Sequence, residues 1–254
     1  MKQMLKKVLL TFGFSVSNGT VSGVRLPVNP EKRAKRIFSS ALLKPTKWRH
    51  DDVSLVGLKA SRYFDLWNKF QGGHKKYSYF SLYDELFSDL IGKSPKVLEI
   101  GVFNGASIKT WREFFGAGSV IVGVDLNPEC AQYDDPDNNV HVRIGSQADE
   151  EFLTRVVQEF GPFDLIIDDG SHMTHHVIAS FNILFDRGLD ADGRYFAEDL
   201  NTSMWKHYRS SKDSSIDLFL SLAELMSTFY YRYGYEEYGR DMHPTDFEVL
   251  TYVR

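Results

Sequence analysis

The sequence predicts an α/β protein, a mainly parallel sheet with flanking helices, and three observations predict it. Five short apolar runs alternate with helical patterns after residue 96. The runs are nearly continuous in apolar residues, as expected of strands covered on both faces. Each leaves through an acid or a glycine, residue types suited to the ligand-facing ends of such strands.

The first run is Lys96–Gly101, followed by a helical stretch over Ala106–Phe115. Val120–Asp125 and Val140–Ile144 are the next two strands. A helix over Glu150–Phe160 puts Phe152, Leu153, Val156 and Val157 on one side. Phe163–Asp168 is the fourth strand, and a helix runs from about His175 to Phe185. Gly193–Glu198 is the fifth strand. Upstream, Tyr79, Phe80, Tyr83, Leu86, Phe87 and Leu90 recur at helical spacing, a stripe that reads as packing against the sheet. Downstream, Ile216–Tyr230 reads as an amphipathic helix, followed by tyrosines 231, 233, 235 and 238, read as packing or a subunit contact. No internal repeat or low-complexity segment interrupts this order.

Composition narrows the function classes. The chain has 254 residues, 43% hydrophobic and 25% charged, enough to bury a core. Its net charge of −4 hides an asymmetry: residues 1–50 hold 11 Lys+Arg against one acid, and residues 51–254 hold 19 against 33. A basic arm on an acidic body argues against a protein that grips nucleic acid with its whole surface. A single cysteine, Cys130, excludes an internal disulfide framework and fits a reducing, cytoplasmic setting. No run approaches the roughly 18 apolar residues of a membrane-spanning helix. Three segments follow: a basic arm and linker over 1–50, a helical lead-in over 51–95, and a ligand-binding catalytic domain over 96–254.

Within the arm, Met1, Met4, Leu5, Val8, Leu9 and Phe12 share a helical face, with Lys2, Lys6 and Lys7 elsewhere. The spacing predicts a short basic amphipathic helix, either packed on the protein or laid on an anionic membrane surface. The apolar stretch is too short and interrupted for a signal peptide. Asn18-Gly19-Thr20 is a glycosylation sequon that matters only in a secreted chain. Gly19, Gly23, Pro27, Pro30 and Pro45 make 17–50 an irregular linker.

The strand exits carry the chemistry. The first leaves through Gly101 and Gly105, spaced G-x-x-x-G after the acid Glu99. A dinucleotide fingerprint needs G-x-G-x-x-G, so this turn favours a nucleoside ligand without a pyrophosphate, such as S-adenosylmethionine. Asp125 ends the second strand, where a carboxylate can accept both ribose hydroxyl hydrogens. Ser146 and Gln147 follow the third, placed to reach an adenine edge. The fourth and fifth exits hold Asp168, Asp169, His172, Glu198 and Asp199. Four carboxylates so close repel unless a cation sits among them, and hard oxygen ligands suit Mg²⁺ or Mn²⁺. The competing role for Asp169 or Ser171 is to cap the next helix. His172 lies near enough to share a substrate with the metal, whereas His175 and His176 read as ordinary helical residues.

These words have a family likeness. VLEIGVFNGASIKTW, GVDLNP, GSQAD, FDLIIDDGSH and EDLNTSMW resemble metal-dependent class I S-adenosylmethionine O-methyltransferases of the macrolide-sugar (mycinamicin and tylosin) type. Cephalosporin-hydroxylase-like and mycobacterial polysaccharide O-methyltransferases are relatives of that group. DDGSH followed by ED-x-x-T-S-x-W is the specific part, and the likeness covers about residues 68–205. It implies a Rossmann-like class I methyltransferase sheet. It also implies Asp169, Glu198 and Asp199 as metal ligands and His172 as general base. Glu99, Gly101, Gly105, Asp125, Ser146 and Gln147 are then expected at S-adenosylmethionine, with Asp168 supporting either site.

The expected reaction is methyl transfer from the sulfonium to a hydroxyl, on a sugar of a glycoside, glycolipid or polysaccharide. The alternative is a non-catalytic or membrane-recruited binding module on the same fold. Class I sheets usually finish with an antiparallel strand pair, yet only Phe247–Val253 remains for it, so either the chain is a shortened form or that edge is built differently. An incomplete edge exposes backbone that a second copy can cover, so a homo-oligomer is expected.

Overall fold

A computed structural model describes residues 61–70, 75–209 and 214–223, with the backbone of two strands nearer the N-terminus. Those two are β1 (Lys7–Leu10) and β2 (Ser15–Val16). The remaining strands are β3 (Lys96–Ile100), β4 (Val120–Asp125), β5 (Val140–Ile144), β6 (Phe163–Asp168) and β7 (Leu189–Ala197). The helices are α1 (Arg62–Lys69), α2 (Tyr77–Phe87), α3 (Ala106–Phe115), α4 (Glu150–Phe160) and α5 (Thr174–Arg187), and 215–223 is helical too.

The sheet order is β2-β1-β7-β6-β3-β4-β5, with every pair parallel except β1–β2. Neighbouring residues of each central strand serve opposite faces, as a period of two demands. Val97, Ile121, Leu165 and Phe196 join α1, α2 and α3 in one core. Leu98, Val122, Ile166 and Tyr195 join α4, α5 and the 215–223 helix in the other. Both faces are covered, which is why the runs read as continuously apolar. The α1–α3 side is built from rings: Tyr63 sits 4.3 Å from Trp111 and 4.7 Å from Tyr83, centroid to centroid. Such pairs add to the burial of large aromatic surfaces.

The order reverses at β3, which lies between β6 and β4. The crevice beyond the strands' carboxyl ends at this reversal is the favoured ligand position in an open α/β sheet. Register keeps the exits level: Ile100 pairs with both Val124 and Asp168, and Asp168 pairs with Ala197. Main-chain bonds continue past the strand ends, from Gly101 N–H to Val124 C=O (2.8 Å), Asp169 N–H to Ile100 C=O (3.0 Å) and Glu198 N–H to Asp168 C=O (2.9 Å).

The arm departs from expectation. Lys7–Leu10 is a strand parallel to β7, with Val8 opposite Tyr195, and Ser15–Val16 turns back antiparallel on it. A short apolar run fits helix and strand periodicity alike, and the unpaired backbone of β7 decides between them. The edge thought to await a C-terminal pair is therefore paired by an N-terminal hairpin. The helix expected over the arm is thus a strand at Lys7–Leu10. The helix expected over Tyr77–Leu90 ends at Phe87 and continues as a single 3₁₀ turn, Ser88–Leu90. The tyrosines after 230 and the run Phe247–Val253 lie outside the described residues. Among those residues no helix is long and apolar enough to cross a membrane.

Candidate active site

A cleft of about 460 Å³ opens over the exits of β3, β4, β5 and β6. Gly101, Asp125, Ser146, Gln147, Asp169 and His172 all line it. Gly101 has a φ of +97°, and a Cβ there would stand 2.2 Å from the Asp169 carbonyl oxygen. Glycine is thus required for the first and fourth exits to approach each other. Among the described residues five non-glycines sit in the left-handed region, and three of them are at this site: Phe103 (φ 50°), His172 (57°) and Asp199 (52°). They fall after β3, β6 and β7, and such strain collects where a fold aims functional groups.

At one end of the cleft, Asp125 accepts backbone N–H groups from Val102 (2.8 Å), Phe103 (3.0 Å) and Asn127 (2.8 Å). Burial alone would raise its carboxyl, but these donors outweigh it and hold the group below its ordinary value. It is therefore anionic, with lone pairs left for hydroxyl donors. Leu126 and Phe103 stand 71% and 70% exposed beside it, apolar surface turned to the cleft.

Gln147 lines the cleft and also has a task the sequence did not show. Its Oε1 accepts the Ser171 N–H (2.8 Å), and its amide donates to Asp168 (3.1 Å) and Ser180 (3.3 Å). Both amide hydrogens are engaged inside the protein, so Gln147 ties the β5 and β6 exits together. Ser146 keeps its hydroxyl hydrogen, since its Oγ accepts from Ala148 N–H (3.2 Å). Asp168 lies 2% exposed beneath the cleft, accepting also from Ser180 (2.6 Å) and Tyr195 (2.8 Å). Burial raises its pKa despite those donors. It supports Gln147 rather than facing the cleft. Gly105 likewise lies off the cleft wall, at the N-cap of α3 with the Tyr133 ring against it.

Glu99 is fully buried below the wall. It accepts from Ser107 Oγ and from Trp111 Nε1 (3.2 Å), while its Oε2 has no hydrogen-bond partner. Burial pushes its pKa from 4.5 to about 7, only partly opposed by Lys75, Ser107 and Trp111. Between those values the folded protein holds a proton that the unfolded chain has released, so stability falls as pH rises through the window. Glu99→Gln is expected to flatten that part of the slope when thermal midpoints are followed across it. Identical slopes in the two proteins would contradict the assignment.

The acids of the β6 and β7 exits are grouped, but around amines, and of Asp169, Glu198 and Asp199 only Asp169 lines the cleft. Lys75 Nζ lies 2.9 Å from Asp169 Oδ2, 3.2 Å from Glu198 Oε1 and 3.8 Å from Glu99 Oε1. Lys76 Nζ lies 2.5 Å from Asp199 Oδ1. Tyr83 donates its hydroxyl to Glu198, and Tyr79 donates to Asp199 Oδ1 (2.7 Å). Burial and the Asp169 charge raise Glu198 to about 8 against the pull of Lys75 and Tyr83. Burial works against the Lys75 charge, but the three carboxylates more than reverse it and keep the ammonium protonated. For Asp199 burial is outweighed by Lys76 and Tyr79, leaving it below its ordinary value. Helix capping does not claim Asp169 or Ser171, because the N-cap of α5 is Met173 with no side-chain cap bond.

The donor chemistry, three carboxylates on two adjacent strand ends, suits a hard divalent ion. The arrangement does not present them as a formed ligand set: among the described residues no group of three or more His, Cys, Asp or Glu is arranged to hold a metal. His172 Nε2 lies 3.8 Å from Asp169 Oδ1, an electrostatic rather than a hydrogen-bonding distance. His176, read as an ordinary helical residue, lines the cleft with its Nδ1 2.7 Å from Ser171 Oγ. The sequence reading also missed Trp67 and Lys75 on the wall. The Tyr79–Tyr83 stripe was legible as core, but its hydroxyls were not legible as partners of the acids.

No protein-family model matches the chain. It is 30% identical over 204 residues to 8-demethyl-8-alpha-L-rhamnosyl tetracenomycin-C 2'-O-methyltransferase of Streptomyces olivaceus, covering 77% of this chain and 51% of that protein. It is 37% identical over 140 residues to mycinamicin VI 2''-O-methyltransferase of Micromonospora griseorubida, covering 52% of this chain and 33% of that one. The chain spans about half the length, or less, of the curated relatives it matches. Among solved structures, it matches the MycE methyltransferase of the mycinamycin biosynthetic pathway, a complex with Mg and SAH. The TM-score is 0.59 at 30% identity, over 66% of this chain and 49% of that one. In sequence and in fold, the chain belongs with the class I S-adenosylmethionine methyltransferases, as a homologue of the sugar O-methyltransferases of the mycinamicin and tylosin type.

Proposed function

We propose that the protein transfers the methyl group of S-adenosylmethionine to a hydroxyl on the sugar of a small-molecule glycoside. The observation that carries this reading is the single cleft running from the Asp125 carboxylate to Asp169 and His172. It has a ribose acceptor at one end, and an acid and an imidazole at the other. The relatives named above act on glycosylated small molecules, which favours that class of acceptor over a polymer.

Asp125 accepts the two ribose hydroxyls, its charge held by three backbone N–H groups. Leu126 and Phe103 give apolar surface for the adenine faces, and the Ser146 hydroxyl donates to its edge. His172 takes the acceptor hydroxyl's proton as the oxygen bonds to the methyl carbon. The carbon–sulfur pair returns to sulfur, leaving a neutral thioether. The Asp169 carboxylate faces the imidazole and stabilises the charge that the proton brings. Asp168 and Gln147 keep the two halves of the cleft in register, so that oxygen, methyl carbon and sulfur can align. Mg²⁺ or Mn²⁺ held by Asp169, Glu198 and Asp199 would lower the pKa of the acceptor hydroxyl.

Calorimetry with S-adenosylmethionine, then mass spectrometry of a glycoside panel incubated with it, tests the reading. The expected results are binding and the gain of one methyl on a sugar hydroxyl. Chelation is expected to stop turnover and added Mg²⁺ to restore it. Absence of cofactor binding would overturn the reading as a whole, whereas full turnover after exhaustive chelation would remove only the metal.

A further inference from the structure

The acid cluster at the β6 and β7 exits contains cations of its own. Lys75 is as buried as the carboxylates around it, its side chain 2% exposed. Its ammonium bridges Asp169 and Glu198 at 2.9 and 3.2 Å, with Glu99 at 3.8 Å. It is also 5.6 Å from the Tyr83 ring and 5.9 Å from that of Trp67, so ring faces complete its surroundings. Lys76, next in the chain, holds Asp199 and also reaches Asn201 Oδ1 (2.8 Å). Two adjacent residues just before α2 therefore occupy all three acids expected to bind a divalent ion.

An ammonium and a metal ion held on the same carboxylates repel each other at contact distance. A magnesium ion sits about 2.0–2.1 Å from each carboxylate oxygen. A cation bound so to Asp169 and Glu198 would stand against an ammonium that already bridges them. The lysine stem is flexible and leaves from the start of a helix, so its head can move without unpacking α2.

We propose that Lys75 is the resident cation of this cluster and that a divalent ion enters only by displacing it from Asp169 and Glu198. Lys76 is displaced from Asp199 in the same exchange. Metal affinity is then set by the exchange of one cation for another, and the acids stay neutralised and folded while metal is scarce. The inference rests on the proposed function for the identity of the ligands and goes beyond it in assigning Lys75 a competing role.

The test uses the full chain, with Mn²⁺ binding followed by paramagnetic resonance and lysine reactivity followed by acylation and mass spectrometry. Lys75→Met, close in length and uncharged, is expected to bind Mn²⁺ on the order of tenfold more tightly than the parent. In the parent, Lys75 is expected to be protected from acylation without metal and to become reactive on adding Mg²⁺. Equal or weaker Mn²⁺ binding by a folded Lys75→Met protein would overturn the proposal. So would protection of Lys75 that persists at saturating Mg²⁺. If the variant fails to fold, the labelling of the parent alone decides. Mn²⁺ bound by the parent with Lys75 still protected sinks the exchange and leaves the proposed function standing. No Mn²⁺ bound by either protein sinks the exchange together with the metal's part in that function, while cofactor binding still tests the rest.

Discussion

Replacing His172 by alanine is expected to lower kcat for methyl transfer by about 10²–10⁴-fold, the usual worth of a positioned general base. Affinity for S-adenosylmethionine should not change. The two effects separate because the cofactor's anchor, Asp125, leaves the sheet at β4 and is held by main-chain donors from 102, 103 and 127. His172 leaves it at β6 and makes none of those bonds. Its φ of 57° favours only a few residue types, so alanine adds a backbone cost of its own. His172→Asn controls for this, since asparagine tolerates the left-handed region yet cannot act as the base. Both variants should bind cofactor and fail in turnover. Undiminished turnover in either would remove His172 from the proton's path.

Gly101→Ala should damage both stability and cofactor binding. The φ of +97° costs an L-residue about 1–2 kcal/mol. The added Cβ also meets the Asp169 carbonyl oxygen at 2.2 Å and its carbon at 2.9 Å. Backbone on backbone cannot be relieved by a change of rotamer, so the β3 and β6 exits must part. That separation moves Asp169 relative to Asp125, across the length of the cleft. Gly116→Ala controls for a positive φ, at +95° with nothing within 4 Å of its Cβ. It should show the dihedral cost alone, as a modest fall in thermal midpoint. Gly101→Ala should fall further and lose cofactor affinity by at least about tenfold, or 1.4 kcal/mol. Equal behaviour of the two variants would mean that the close approach is not needed.

The five central strands were legible because each carries its own signal: a short apolar run, a helical pattern after it, and a turn residue between. The exits were legible for the same reason, since Asp125, Asp169, His172, Glu198 and Asp199 each stand at the end of a run. Their company was less legible. Gln147 looks like a ligand contact in sequence and lines the cleft, but its bracing role was not legible, because only the packed sheet brings Asp168, Ser171 and Ser180 to its amide. Tyr79 and Tyr83 look like core and are core, but each also sends a hydroxyl to an acid more than a hundred residues away in the chain. At Lys7–Leu10 the helical spacing gave way to a strand, because pairing with the backbone of β7 outweighs a short local periodicity.

The sequence by itself determined the α/β class, the order of its strands along the chain and the residues at their carboxyl ends. Those follow from periodicity and turn chemistry, which act over a few residues. Only the tertiary structure decided which groups neutralise the acids, because ion pairs depend on distance in space. Lys75 reaches Asp169 across 94 residues and Lys76 reaches Asp199 across 123. It likewise decided that an N-terminal hairpin pairs the edge of β7, since an unpaired strand takes whatever backbone the fold brings beside it. The charge pattern required a cation among the carboxylates, and the fold supplies a lysine.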